Sequence, residues 1–336
     1  MKAIGYQQNL PIDNPLSLQD IELDAPTAKG HDILVKVRAV SANPVDYKVR
    51  TGMQVPEGEW RVLGFDAAGT VQAVGEDVTL FKPGDKVWYA GDLTRPGSNA
   101  EFQLVDERIV GFMPHTLSFA QAAAMPLTSI TAWEMLFDRL DVDRNDATKS
   151  ILIIGAAGGV GSIMVQLIKT LTQLTIVATA SRPETQIWLE ALGADHILNH
   201  HCPLSKEFDQ YELPHVDYVV SLNHTEKHQT DIAQVVKPQG KVGLIDDPEI
   251  FNIMPFKSKS VSIHWEFMFT RSMFHTKDMR AQHQLLNEIA SLIDSGELKT
   301  TVGEHLGTIN AENLRRAHQR LEAHSTKGKI VLEGFE

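Results

Sequence analysis

Apolar positions follow two different rhythms along the chain. Over roughly its first third they come in short, partly alternating runs: ILVKVRAV (33–40), AAGTVQAVG (67–75), KVWYA (86–90) and AEFQLV (100–105). Alternation at period two marks a strand with one buried face, and turn signals such as KPGD separate the runs. The composition then becomes helical over 119–139, FAQAAAMPLTSITAWEMLFDR, until the polar DVDRNDATKS stops it.

Strict strand–helix alternation follows. ILII (151–154) leads into a segment where Val160, Met164, Leu167, Ile168 and Leu171 share one helix face. LTIVATA (174–180) precedes PETQIWLEALG, a helix opened by Pro183 and closed by Gly193. HILN, VDYVVSL and KVGLI read as further buried strands, with a polar helix between the last two. Such a βαβαβ series predicts a doubly wound parallel sheet with helices on both faces. A helix at MRAQHQLLNEIASLIDSG and strands at TVGEHL and GKIVLE close the pattern. The expected fold class is α/β: a β-rich domain split in sequence (1–124 and 297–336) around a nucleotide-binding domain (125–296).

Composition narrows the function classes. A net charge of −12 argues against nucleic acid or an anionic membrane as partner, since a polyanion is repelled. No apolar run approaches the ~18 residues of a membrane span, and the N-terminal stretch lacks a secretory core. With one cysteine, Cys202, no intrachain disulfide and no four-cysteine zinc lobe can form. A cytoplasmic enzyme is expected.

The candidate chemistry begins at GAAGGVG, between the first strand of the alternating region and its helix. Ala156, Gly158 and Gly161 hold the three spacings of a dinucleotide fingerprint, with Gly159 and Val160 between them. Gly155 is positioned to supply the turn that an alanine at 156 resists. Gly158 lets backbone approach a pyrophosphate, and Gly161 lets the helix pack close to the strand. The helix N-terminus offers free N–H groups to the phosphates. Ser181 and Arg182 lie about 20 residues beyond, where an acidic residue would select NAD(H). A hydroxyl and a guanidinium suit a 2′-phosphate instead, so NADP(H) is the expected cofactor.

With those residues in hand, the chain resembles the medium-chain dehydrogenase/reductase superfamily, and within it the zinc-free quinone oxidoreductase branch, often called zinc-type alcohol dehydrogenase-like. SANPVDYKVRTG (41–52), VLGFDAAGTVQAVG (62–75), FKPGDKVW (81–88), PLTSITAWEML (126–136), AAGGVG (156–161) and GKIVL (328–332) carry the resemblance. It implies a GroES-like β domain and a Rossmann domain with the active site in the cleft between them. Zinc-dependent members place a cysteine and a histidine where this chain has Asn43 and Phe65, and the third ligand near PLTSIT is missing too. Catalytic zinc is therefore expected to be absent. An alkoxide then lacks its Lewis acid, so the expected reaction is hydride transfer from NADPH to an already electrophilic quinone or α,β-unsaturated carbonyl.

The resemblance also implies site residues. Asn43 and Thr128 are expected near nicotinamide or substrate, Asn43 as an amide donor or else a turn residue before Pro44. Asp46 either orients a neighbour or holds the loop, and Tyr47 is a candidate proton donor. Asn223 and Leu244, at strand ends, are expected cofactor contacts. His200 stands where relatives often carry a tyrosine beside the adenosine phosphate, and Lys327 is a further cofactor candidate.

Three other features stand apart from the cofactor motifs. HILNHHC gathers His196, His200, His201 and Cys202, but neighbours in an extended segment point apart, so a polar loop is preferred to a metal tract. His224 and His228 read as a solvated i, i+4 pair. KSVSIHWEFMF (259–269) reads as an aromatic edge strand that a second subunit would cover, giving a homodimer. Alternatives to the reductase are a zinc-dependent alcohol dehydrogenase with relocated ligands and a non-catalytic NADPH-binding protein.

Overall fold

The computed structural model describes residues 1–324 and 326–335, which form two compact units. The first contains residues 1–130 and 269–336, the second residues 131–268. The sequence pattern puts the divisions instead at 124/125 and 296/297. The helix Ala281–Asp294 accounts for the later shift: it packs on the strand Val110–Phe112, and a Cβ on Gly111 would lie 2.6 Å from the Leu286 side chain.

The first unit is built on a seven-stranded sheet. Its long strand Asp32–Ala42 pairs antiparallel with Asp66–Val74, with Phe102–Asp106 and with Lys329–Glu333. Alternating burial along Asp32–Ala42 is the period-two signal of the sequence, and it becomes continuous from Ala39 onward where both faces are covered. A three-stranded sheet of Lys2–Tyr6, Gln19–Glu22 and Arg61–Val62, not anticipated from sequence, completes the unit.

Also unanticipated is the helix Pro44–Gly52, which starts where the sequence suggests only a loop. Pro44 supplies the preset φ of a first helical position, and the Asp46 carboxylate accepts the N–H of the cap residue Asn43 at 2.7 Å. The fully buried Arg50 pins the far end, donating to His318 Nδ1, to Glu322 and to the Leu10 carbonyl.

The second unit is a six-stranded parallel sheet. Its strands, in chain order, are Ser150–Ile154, Thr175–Thr179, His196–Leu198, Val216–Ser221, Val236–Leu244 and Ser262–Trp265. They lie in the spatial order third, second, first, fourth, fifth, sixth. The order reverses beside the first strand, the crevice where such sheets bind ligands. Every residue of Ser150–Ile154 is buried, the mark of a central parallel strand. The helix Gly159–Leu171 buries everything from Gly161 to Ile168, a wider face than the single stripe read from sequence. The helix expected over 119–139 is interrupted: Phe119–Ala123 ends before Pro126, Pro126–Trp133 resumes, and Glu134–Arg139 continues as a π-helix. No helix among the described residues is long and apolar enough to cross a membrane.

Candidate functional site

In the second unit the glycine turn follows the first strand directly. Gly155 has φ +79°, so the left-handed residue is the one before the fingerprint position, and Ala156 turns its methyl into the core with no exposure. That is why an alanine is tolerated at 156. The turn is tied to the second strand by Gly155 N–H donating to Thr179 Oγ1 at 3.1 Å. At Gly161 a Cβ would lie 2.3 Å from the Ala156 carbonyl oxygen, so the helix can approach only as glycine. At Gly158 a Cβ would meet just the Gly155 oxygen, at 3.5 Å, which leaves open room on the cradle. Gly158 caps the helix without a side-chain bond. The N–H groups of Gly159, Val160 and Gly161 thus begin an uncapped helix end suited to phosphate oxygens. These observations fit a dinucleotide.

Around the cradle, Asn223 lies against Gly155: a Cβ there would sit 2.5 Å from its Oδ1. Ser181 and Arg182 are half-buried at the end of the second strand, with Arg182 Nε 3.2 Å from Glu184. His200 is half-buried beyond the neighbouring third strand. The Leu244 side chain is fully buried in the core, and its carbonyl accepts the Glu266 N–H at 3.0 Å. Glu266 itself accepts from Arg139 Nε at 2.7 Å, and burial together with the adjacent Glu134 carboxyl pushes it up to about 8.

The first unit holds a buried polar centre that the sequence reading only partly anticipates. Lys329 Nζ donates to Asp66 Oδ2 at 2.9 Å, to the Ala42 carbonyl at 3.1 Å and to Asn43 Oδ1. Asn43 Nδ2 donates to Asp66 Oδ2 at 2.9 Å and to the Ser41 carbonyl at 3.2 Å, while Asp66 Oδ1 accepts the Leu127 N–H at 2.7 Å. Asp46 accepts from the N–H groups of Asn43 and Gly64. Burial pushes the Asp46 carboxyl up to about 7 against those two bonds and the nearby Lys329 ammonium.

This geometry changes the assignment of Asn43. Both of its amide hydrogens and its oxygen are committed inside the network, so it caps the helix and positions the Asp66–Lys329 pair instead of offering a free donor. Thr128 is buried on the helix Pro126–Trp133 beside Leu127, its hydroxyl donating to the Met125 carbonyl. Tyr47 is half-buried on the helix Pro44–Gly52. Lys329, two residues beyond Lys327, occupies the network. Asp66 and Lys329 were visible in the motifs GFD and GKIVL, but nothing in the sequence pairs residues so far apart.

Zinc does not fit this centre. Phe65 is buried and packs edge-on against Phe269, ring centroids 5.3 Å apart, and offers no ligand atom. The Asn43 oxygen faces an ammonium, and that cation would repel a divalent metal.

The comparisons with known proteins agree with the fold. Residues 29–132 match the alcohol dehydrogenase GroES-like domain, and residues 192–332 the zinc-binding dehydrogenase family. A zinc-type alcohol dehydrogenase-like protein of Staphylococcus aureus is 43% identical over 336 residues, covering 99% of both chains. A Rhizobium etli CFN 42 structure, provisionally described as a zinc-dependent alcohol dehydrogenase, is 56% identical with a TM-score of 0.97, covering 100% of this chain and 98% of that one. The quinone oxidoreductase of Coxiella burnetii is 27% identical with a TM-score of 0.82, covering 99% of each. With a GroES-like unit, a Rossmann unit bearing a glycine cradle, and near full-length relatives of the same kind, the chain belongs to the medium-chain dehydrogenase/reductase superfamily and is an oxidoreductase of its zinc-type alcohol dehydrogenase-like group.

Proposed function

We propose that the protein is an NADPH-dependent reductase of quinones or α,β-unsaturated carbonyls that works without catalytic zinc. The observation that carries this reading is the exchange at the ligand positions: a buried phenylalanine, and an asparagine locked onto a lysine–aspartate pair. Such a centre cannot acidify an unactivated alcohol as a metal does. A conjugated carbonyl needs no such help, because its β-carbon already accepts hydride. When bound, NADPH supplies that hydride from its nicotinamide.

The remaining steps fall to the chain's own groups. The cradle of Gly158, Gly159, Val160 and Gly161 holds the pyrophosphate, and Ala156 supports it from the core. Ser181 and Arg182, with no carboxylate at their own positions, favour the 2′-phosphate. Asn43 and Thr128 shape the substrate side, and the Tyr47 hydroxyl is the donor to the acceptor oxygen as negative charge develops there. A proton from Tyr47 or water completes the reduction. The Coxiella burnetii likeness supports the quinone class.

The test is oxidation of NADPH and of NADH against a panel of quinones and enones, with and without EDTA. NADPH-preferring, EDTA-insensitive turnover is expected. Chelator-sensitive alcohol oxidation overturns the zinc-free chemistry, and a preference for NADH overturns the role of Arg182.

A further inference from the structure

The helix Pro44–Gly52 is held more firmly than its length explains. It has nine residues, short of the ~12–15 at which an isolated helix becomes stable in water, so it depends on tertiary contacts. Its buried residues are Asp46, Val49 and Arg50, and two of these three are ionisable. A helix that had only to stay folded would bury apolar side chains there, because burying charge is costly even when it is paired.

The fastening is concentrated at the C-terminal turn. Arg50 is fully buried and each nitrogen of its guanidinium donates: Nε to His318 Nδ1 at 3.3 Å, Nη2 to Glu322 and Nη1 to the Leu10 carbonyl. Asn9 Nδ2 donates to the Arg50 carbonyl at 2.6 Å and to the Met53 carbonyl at 3.0 Å. The Tyr6 hydroxyl donates to the Val49 carbonyl at 3.2 Å. Carbonyls that a helix end leaves without partners are thereby satisfied. His318 and Glu322 lie one turn apart on the helix Ala311–Glu322, which packs against Pro44–Gly52. Accepting from Arg50 at Nδ1 puts the proton of His318 on Nε2, which is buried with no hydrogen-bond partner among the described residues. Burial and the Arg50 charge push His318 down to about 3, so it stays a neutral acceptor across the neutral range. An unsatisfied buried donor is tolerated while the bond to Arg50 is kept.

Tyr47 lies between the two anchorages. It precedes Arg50 by three residues, on the same side of the helix, and is half-buried. At the other end Asp46 accepts the Asn43 N–H, and Asn43 is tied to Asp66 and Lys329. The helix cannot tilt or slide without breaking one set of bonds, which is how a side chain is kept at one point.

We propose that Arg50, supported by His318 and Glu322, is a positioning residue for the reduction: it fixes the helix Pro44–Gly52 and, through it, the point from which the Tyr47 hydroxyl donates to the acceptor. The inference rests on the role given to Tyr47 above. Lysine cannot stand in for Arg50, because an ammonium lacks the planar fork that reaches acceptors on separate segments.

The experiment measures kcat and KM for a quinone at saturating NADPH, and NADPH affinity by fluorescence, well below the Tm of each variant. The variants are Arg50→Lys, the milder Glu322→Gln, Tyr47→Phe, and each of the first two combined with Tyr47→Phe. Arg50→Lys should lower kcat about tenfold and Glu322→Gln about threefold, with NADPH affinity unchanged and Tyr47→Phe at least as slow as Arg50→Lys. Each double variant should be no slower than Tyr47→Phe alone, because both changes act on one step. Losses that multiply in the doubles overturn the proposal, since Arg50 then acts on something other than Tyr47. Full kcat in both Arg50→Lys and Glu322→Gln beside a slow Tyr47→Phe also overturns it and leaves the role of Tyr47 standing. If Tyr47→Phe is as fast as the wild type, the role of Tyr47 falls and the positioning falls with it.

Discussion

Lys329 and Asp66 show how much a single buried pair can organise. Their side chains are 3% and 0% exposed, and each is fully engaged. Taking two charges out of water is costly, and removing one partner leaves the other stranded, at a typical loss of about 3–5 kcal/mol. Lys329→Met should therefore destabilise the protein by about that amount in urea unfolding, whereas Asp66→Asn with Lys329→Met should recover a large part of it. A double-variant loss equal to the sum of the two single-variant losses would show that the pair is not coupled. At this scale the sequence was only half legible. Asn43 and Asp46 could be singled out because SANPVD places them three residues apart. Asp66 and Lys329 could not be joined, because only the antiparallel pairing of Asp32–Ala42 with both Asp66–Val74 and Lys329–Glu333 brings them together.

Elements were far more legible than pairings. The strands Ser150–Ile154, Thr175–Thr179 and Val216–Ser221 stand where continuous apolar runs put them, and Gly193 ends its helix with φ +104° as a C-terminal glycine should. The helix Pro44–Gly52 escaped because its polar, proline-led sequence carries little apolar periodicity. The same scale predicts the effect of filling the helix–strand contact. Gly161→Ala puts a methyl within 2.4 Å of the Ala156 backbone, where no side chain can swing aside. The helix must shift, at about 1–3 kcal/mol. Thermal unfolding should move down, and NADPH affinity should fall at least tenfold by fluorescence titration. An unchanged affinity would mean the helix N-terminus does not hold the cofactor.

For the whole molecule, the exposed edge of the Rossmann sheet sets the expectation. Only Ser262–Trp265 of the longer segment read from sequence is a strand; it pairs on one side with Val236–Leu244, and Trp265 is 52% and Phe267 47% exposed beside it. An apolar edge of this kind invites strand addition, and a second copy presents the same edge by twofold symmetry. Sedimentation equilibrium at micromolar concentration should give twice the mass of one chain, and Trp265→Lys should shift it toward the monomer. A wild-type monomer across that range would remove this strand as an interface. The α/β class and the split β-rich arrangement were readable because strand–helix alternation spans a hundred residues or more.

The reach of Lys329 has a consequence in time. Asp66 and Lys329 are 263 residues apart. At about 5–20 residues per second, a ribosome needs on the order of tens of seconds to make the lysine after the aspartate. The intervening Rossmann unit can fold in that interval from its own local strand–helix units. The GroES-like unit cannot finish, because its buried aspartate is without its ammonium until Lys329–Glu333 is made and joins the strand Asp32–Ala42. The polar centre is thus among the last parts of the protein to mature, and nascent chains halted between the two residues should show a protease-resistant Rossmann unit before a protected N-terminal one.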